Sequence, residues 1–202
     1  MKSTKIHTTT FTSISKLKFG IYLVFSGVMF FFFIATGYWT AQADPAVGDQ
    51  IYTMFQDVVV TGVASDSAAV MSLQIFINNV QICALIFLGG ATFGLLTLLL
   101  LMTNGIVIGA LIEVLLRDVS ASVLIIGLLP HGMFEIPSVL VSAALGMIVA
   151  RGLWEELAGK GNALDSAKYA GRLFIMYVVP FTFIAACIEG FLTPLMMEVM
   201  SI

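Results

Sequence analysis

Leu129-Pro130-His131-Gly132-Met133-Phe134-Glu135-Ile136-Pro137 sets an imidazole and a carboxylate between two prolines, inside a long apolar region. A charge at the centre of a membrane helix costs about 2.5–3.5 kcal/mol on insertion scales. Each proline adds a second cost, because it removes a helix donor and clashes with the preceding turn. Polar residues and interrupted backbone at membrane depth imply a segment packed in protein or lining water. The stretch therefore predicts a helical element broken around Pro130, Gly132 and Pro137.

The surrounding chain fits that reading. It has 202 residues, of which 59% are hydrophobic and 10% charged, with a mean hydropathy of +1.04. Soluble domains carry about 25% charge, so this is an integral membrane protein of a length that suits one domain, residues 1–202. No basic patch argues for nucleic acid. Cys83 and Cys187 both fall in apolar spans, where cysteine usually acts as a small hydrophobe.

Charge placement orders the spans. The first apolar run, Lys18 to Tyr38, follows Lys2, Lys5, Lys16 and Lys18. Ala41-Gln42-Ala43 resembles a cleavage site, but the apolar core from Phe19 to Trp39 exceeds the roughly 7–15 residues of a signal peptide. A retained span is expected. The segment from Ala41 to Ala68 carries Asp44, Asp49, Asp57 and Asp66 and no Lys or Arg. Apolar runs follow at Val70–Met102, Gly105–Leu116, Val119–Ala150 and Leu173–Met197. Arg151, Lys160, Lys168 and Arg172 sit between the last two. Of the 9 Lys and Arg residues, only Arg117 lies outside the N-terminus and the 151–172 connector. Positive charge marks the cytoplasmic side. The expectation is an all-α, multi-pass bundle of about five spans, with a cytoplasmic N-terminus (1–18), an outer acidic loop (41–68), a cytoplasmic connector (151–172) and an outer C-terminus.

Lengths complicate simple spans. Val119–Ala150 would run roughly 48 Å and Gly105–Leu116 only about 18 Å, against a hydrocarbon core of about 30 Å. In one parse the third helix ends near Arg117 and the fourth element is broken at Pro130–Pro137. In the other, Gly105–Leu129 is one helix and Pro130–Pro137 turns into a short return helix. The first is preferred, because the second buries Arg117 and Asp118, neighbours that do not face each other on a helix. In Val70–Met102, the polar residues Gln74, Asn78, Asn79 and Gln81 suggest that the first third meets the outer interface and that Leu85–Met102 crosses.

Small residues offer packing faces. Gly90-Ala-Thr-Phe-Gly94 and Gly105-Ile-Val-Ile-Gly109 are GxxxG patterns, and Ser142-Ala-Ala-Leu-Gly146 is a looser one. Such stripes let helix backbones approach closely, either within one chain or across a homodimer. Gly89-Gly90 also permits a bend. In the connector, Gly159 and Gly161 separate two short helical pieces, which read either as interfacial elements or as a solvated link.

At these residues the chain resembles the stage II sporulation protein M family, also called the DUF95 family. The carriers are Asn79, Asn104-Gly105, the Pro130-His131-Gly132-x-Phe134-Glu135-x-Pro137 string, the small-residue run through Gly146, and Ile188-Glu189 before Thr193-Pro194. The resemblance covers roughly residues 70–197. It implies a small multi-pass helical protein, and one member in spore-forming bacteria acts with cell-wall hydrolases during engulfment. No wall-degrading domain is apparent in these 202 residues.

The candidate site is an intramembrane polar cluster of His131, Glu135, Glu189, Asn79 and Asn104. His131 and Glu135 are four apart and share a face of an unbroken helix. If a helix instead restarts at Pro137, Glu135 sits at its N-terminus, where the dipole favours a carboxylate. Glu189 is embedded in the last span. His131, Glu135 and Glu189 are expected to converge, since each alone in hydrocarbon would be a costly unsatisfied group. The cluster reads either as a polar knot locking helices or as a proton, ion or solute pathway; discontinuous helices around polar groups recur in transporters, although no internal inverted repeat is evident. Catalysis is not expected. There is no HExxH motif, and His7 and His131 alone cannot build a His-rich metal site. Glu155-Glu156-x-x-x-Lys160 resembles the motif of CAAX-type membrane proteases but lies in the predicted cytoplasmic connector. No cofactor or metal is implied. The partners expected are the bilayer, a second copy, and membrane or cell-envelope proteins organised by a non-enzymatic scaffold; the rival is a small channel or transporter.

Overall fold

The computed structural model describes residues 3–63 and 67–192, with side chains at 3–18, 58–63, 128 and 131 left outside that description. The described chain is an all-α bundle. Its helices are α1 (Ser3–Ala43), α2 (Pro45–Val63), α3 (Ala68–Leu88), α4 (Leu95–Asp118), α5 (Ala121–Leu157), α6 (Ala163–Leu173) and α7 (Val179–Cys187). Five stretches are long and apolar enough to cross a membrane: Phe19–Ala43, Ala68–Thr92, Leu95–Asp118, Gly132–Leu157 and Ala163–Leu192. Many large apolar side chains face outward, Val24, Phe31, Phe32 and Leu95 among them. Acyl chains are as apolar as leucine, so such exposure carries little cost in lipid.

Val70–Met102 is not crossed at Leu85–Met102. The chain turns at Gly89–Thr92 in a short 3-10 segment, and α3 and α4 cross separately. Phe93 (φ 55°) and Gly94 (φ 86°) are both left-handed, and this reverses the chain. Gln74, Asn78, Asn79 and Gln81 consequently lie within the span α3 rather than on a projecting arm. The Thr97 hydroxyl closes the hairpin by donating to the Ile86 carbonyl at 2.8 Å.

Glycines set the crossings. A Cβ at Gly37 would overlap the Ile106 carbonyl, and one at Gly109 would overlap that of Ile34. Gly105 faces Phe33 and the Phe30 carbonyl. These contacts press α1 onto α4, with Phe30 and Leu101 buried between them. Gly90 meets the Gly146 carbonyl, bringing the α3–α4 turn onto α5. Gly94 takes its left-handed conformation beside the Ala150 methyl.

α5 occupies the centre. In its most apolar stretch 61% of residues are buried, against 11–33% in the other spans. It also corrects the expected break at Pro130, Gly132 and Pro137, because the helix runs unbroken from Ala121 to Leu157. The prolines are seven residues apart, close to two turns of about 3.6 residues, so both gaps fall on one side of the helix. Beyond Pro137, Ser138 Oγ donates to Phe134 O at 2.8 Å and Ser142 Oγ to Ser138 O at 2.7 Å. Hydroxyls and neighbouring helices of this kind make proline tolerable inside a membrane helix.

Polar segments join the spans. Within the expected outer loop, Pro45–Val63 is a helix. Asp44 Oδ1 accepts from Ala46 N at 3.1 Å, and Pro45 opens α2, a pairing of acidic cap and first-turn proline that favours initiation. The link between α5 and α6 is shorter than 151–172. α5 continues to Leu157, Gly159 adopts φ 67°, and α6 starts at Ala163 under an Asn162 cap, whose Oδ1 accepts from Leu164 N at 2.8 Å.

Candidate functional site

The last span is assembled from irregular pieces. α6 leads into a π-helical turn at Phe174–Val178, then α7, then a second π-helical turn at Ile188–Leu192. Pro180 cannot donate to its preceding turn, and the wider register lets Val179 N pair with Phe174 O. Single π turns within helices frequently mark functional sites. The second one contains Glu189.

This turn places Glu189 where its carboxylate interacts electrostatically with that of Glu135 on α5. Deeper in the bundle, the Cys83 thiol on α3 lies in reach of the Ser142 hydroxyl on α5, the Thr182 hydroxyl on α7 and the field of Glu135. Ser138, Ser142 and Thr182 are all buried. Each donates to its own helix, Thr182 to Val178 O at 2.7 Å. Toward the other end, Ser72 on α3 packs against Gly190, where a Cβ would overlap its hydroxyl. The Ser72 and Gln74 side-chain oxygens are buried without a hydrogen-bond partner among the described residues. A polar seam thus runs between α3, α5 and the last span.

The expected cluster residues separate into groups. Glu135 and Glu189 are brought together. Asn79 is buried on α3 and accepts from Asn78 Nδ2 at 3.3 Å. Asn104 does not join them, because its amide donates to Leu100 O at 2.8 Å and α4 lies chiefly against α1. The backbone of His131 is one turn before Glu135 on α5, but its side chain lies outside the described residues, as do Asp66, Thr193 and Pro194. Pro130, Gly132 and Pro137 sit inside the helix that carries Glu135. Cys83, Ser138 and Thr182 were not singled out as site residues. Ser138 and Ser142 are spaced i, i+4, and that spacing was the available signal. Among the described residues no group of three His, Cys, Asp or Glu side chains could hold a metal ion.

Arg117, the cation outside both basic clusters, holds a second polar group at the opposite end from the 158–162 link. Its guanidinium forks onto Glu113 one turn earlier on α4 and reaches Asp49 Oδ1 on α2 at 2.8 Å. A longer contact of 3.5 Å goes to the Ala41 carbonyl at the end of α1. The sequence placed Arg117 beside Asp118; the structure instead uses it to fasten α2 to the bundle.

Residues 26–194 match the family model for stage II sporulation protein M. An uncharacterized protein of Methanocaldococcus jannaschii is 32% identical over 125 residues, covering 60% of this chain and 70% of the relative. No solved structure matches the chain.

Proposed function

This chain belongs to the stage II sporulation protein M family, and we propose that it is a non-enzymatic membrane scaffold that organises partner proteins of the membrane or cell envelope. One observation carries this reading: α2 is a helix outside the spans, fastened by Arg117 to α1 and α4, with Met54 and Phe55 exposed on it. A docked, partly apolar helix at one end of a tightly crossed bundle suits a platform for other proteins. The reading includes a cytoplasmic N-terminus and an outer C-terminus, by the positive-inside rule, and puts α2 outside. It also includes a homodimer, on surfaces other than the Gly90 and Gly105/Gly109 stripes, which are occupied within the chain.

The test is photo-crosslinking from Met54 and Phe55 in native membranes. Discrete protein adducts lost on Arg117→Ala support the scaffold; lipid adducts alone from both positions overturn it. The polar seam favours a second reading, a small proton or ion pathway past Glu135 and Glu189, with the Ser72 hydroxyl beside Gly190 toward its mouth. Liposome flux that is present in the native protein and abolished by Glu135→Gln would favour that reading over the scaffold.

A further inference from the structure

We propose that the groove between α1, the α3–α4 turn and the C-terminal end of α5 binds one anionic glycerophospholipid, headgroup at the rim and acyl chain on the floor. The groove measures about 460 Å³ and is open on one side. Its floor is formed by Phe25, Leu98 and Met147. Phe25 and Leu98 remain partly exposed, so in a membrane this surface meets hydrocarbon. The rim holds Tyr22, Arg151 and Lys160, with Glu155 beside them.

The rim is organised for an anion. Glu155 Oε1 accepts from Arg151 Nε at 2.7 Å, and the Tyr22 hydroxyl lies 3.5 Å from Arg151 Nη1. Among the described residues the second terminal nitrogen, Nη2, has no hydrogen bond, so a pre-set guanidinium keeps donors for an incoming phosphate. Planar guanidinium forks match phosphate oxygens. Arg151 and Lys160 set two cations on the rim beside the single Glu155 carboxylate, a setting that suits a phosphodiester anion.

Two further features place the groove at the headgroup level. Trp154 is 61% exposed at the end of a span, and tryptophan concentrates at the membrane–water interface. Phe93 lies tilted against it, with ring centroids 4.9 Å apart, from the left-handed turn position at φ 55°. That conformation is uncommon for a bulky side chain, and here it aims the ring into the groove. Basic pockets between membrane helices are a recurrent way of holding anionic headgroups. The inference does not depend on the scaffold or pathway readings.

The experiment is tryptophan quenching in nanodiscs made with acyl-brominated lipid, in a Trp39→Phe background that leaves Trp154 as reporter. Brominated phosphatidylglycerol should quench Trp154 more than brominated phosphatidylcholine at equal mole fraction, with an association preference of about fivefold. Arg151→Gln should abolish the preference and Lys160→Gln should reduce it, while Arg151→Lys retains most of it. Lys160 is in the exposed link, so its variant keeps the test decisive if Arg151→Gln fails to fold. Equal quenching by the two lipids, or a preference unchanged in Lys160→Gln and Arg151→Gln, overturns the proposal. Loss of the preference on adding inorganic phosphate would assign the rim to a soluble anion and also overturn it.

Discussion

Glu135 and Glu189 present the sharpest energetic question, because two acids lie within electrostatic reach of each other between apolar helices with no described cation beside them. Replacing either by glutamine keeps shape and hydrogen bonding and removes their mutual repulsion. Glu135→Gln is therefore expected to fold with unchanged or higher thermal stability. Glu135→Gln and Glu189→Gln should also be non-additive, with a coupling of at least about 0.5 kcal/mol in a double-mutant cycle. Additivity within about 0.3 kcal/mol would show that the two carboxylates do not act on one another. Arg117 poses the converse case, a cation with two acids and a carbonyl around it. Arg117→Ala should release α2 while leaving the spans assembled. Limited proteolysis checks this: cleavage should accelerate within 45–63, and unchanged cleavage would mean that other contacts hold α2. The acids were legible in the sequence because charge in apolar sequence is rare. Cys83, Ser138 and Thr182 were not, since each can pass for an ordinary small core residue until three helices are seen to share a seam.

At the scale of elements, the crossings are set by backbone contact. Gly109→Leu must displace the Ile34 carbonyl region of α1. Overpacking costs of about 1–3 kcal/mol are usual, and with backbone as the obstacle a fall in melting temperature in detergent is expected. A Gly109→Leu protein with native stability would show that α1 does not sit on α4 as described. Thr97→Val tests the α3–α4 hairpin, because it keeps the volume and deletes the bond to Ile86 O. Polar contacts between membrane helices average about 0.6 kcal/mol and reach about 1.7; a loss in that range by reversible unfolding is expected, and no change would mean the bond adds nothing. The sequence revealed Gly89-Gly90 as a bend but put the crossing at Leu85–Met102. The reversal depends on Phe93 and Gly94 taking φ of 55° and 86°, and nothing in the residue types forces a phenylalanine into that region. The prolines misled in the other direction. Their chemistry favours a break, yet their seven-residue spacing and the hydroxyls of Ser138 and Ser142 let a buried helix continue.

For the whole molecule, hydropathy gave the class, because the bilayer restricts spanning backbone to helices; the span count needed charge placement as well, and the family needed the Pro130–Pro137 motif. Direction comes from charge. The described chain has two chemically different ends. One carries Arg151, Lys160 and the turn at Gly89–Gly94, which meet around a single groove. The other carries Asp49, Glu113 and Arg117, where charges are paired. Positive residues are retained on the cytoplasmic side during insertion, so the groove end should be cytoplasmic and α2 should be outside. Cysteines at Met54 and Lys160, introduced in a Cys83→Ser/Cys187→Ser background, separate the possibilities. Met54 is 69% exposed on α2, and Lys160 is exposed in the link between α5 and α6. In intact cells an impermeant thiol reagent should label position 54 at once and position 160 only after lysis. The reverse pattern would invert the molecule. Labelling of both in intact cells would mean that the two ends lie on one side, and the five-span crossing would then have to be abandoned.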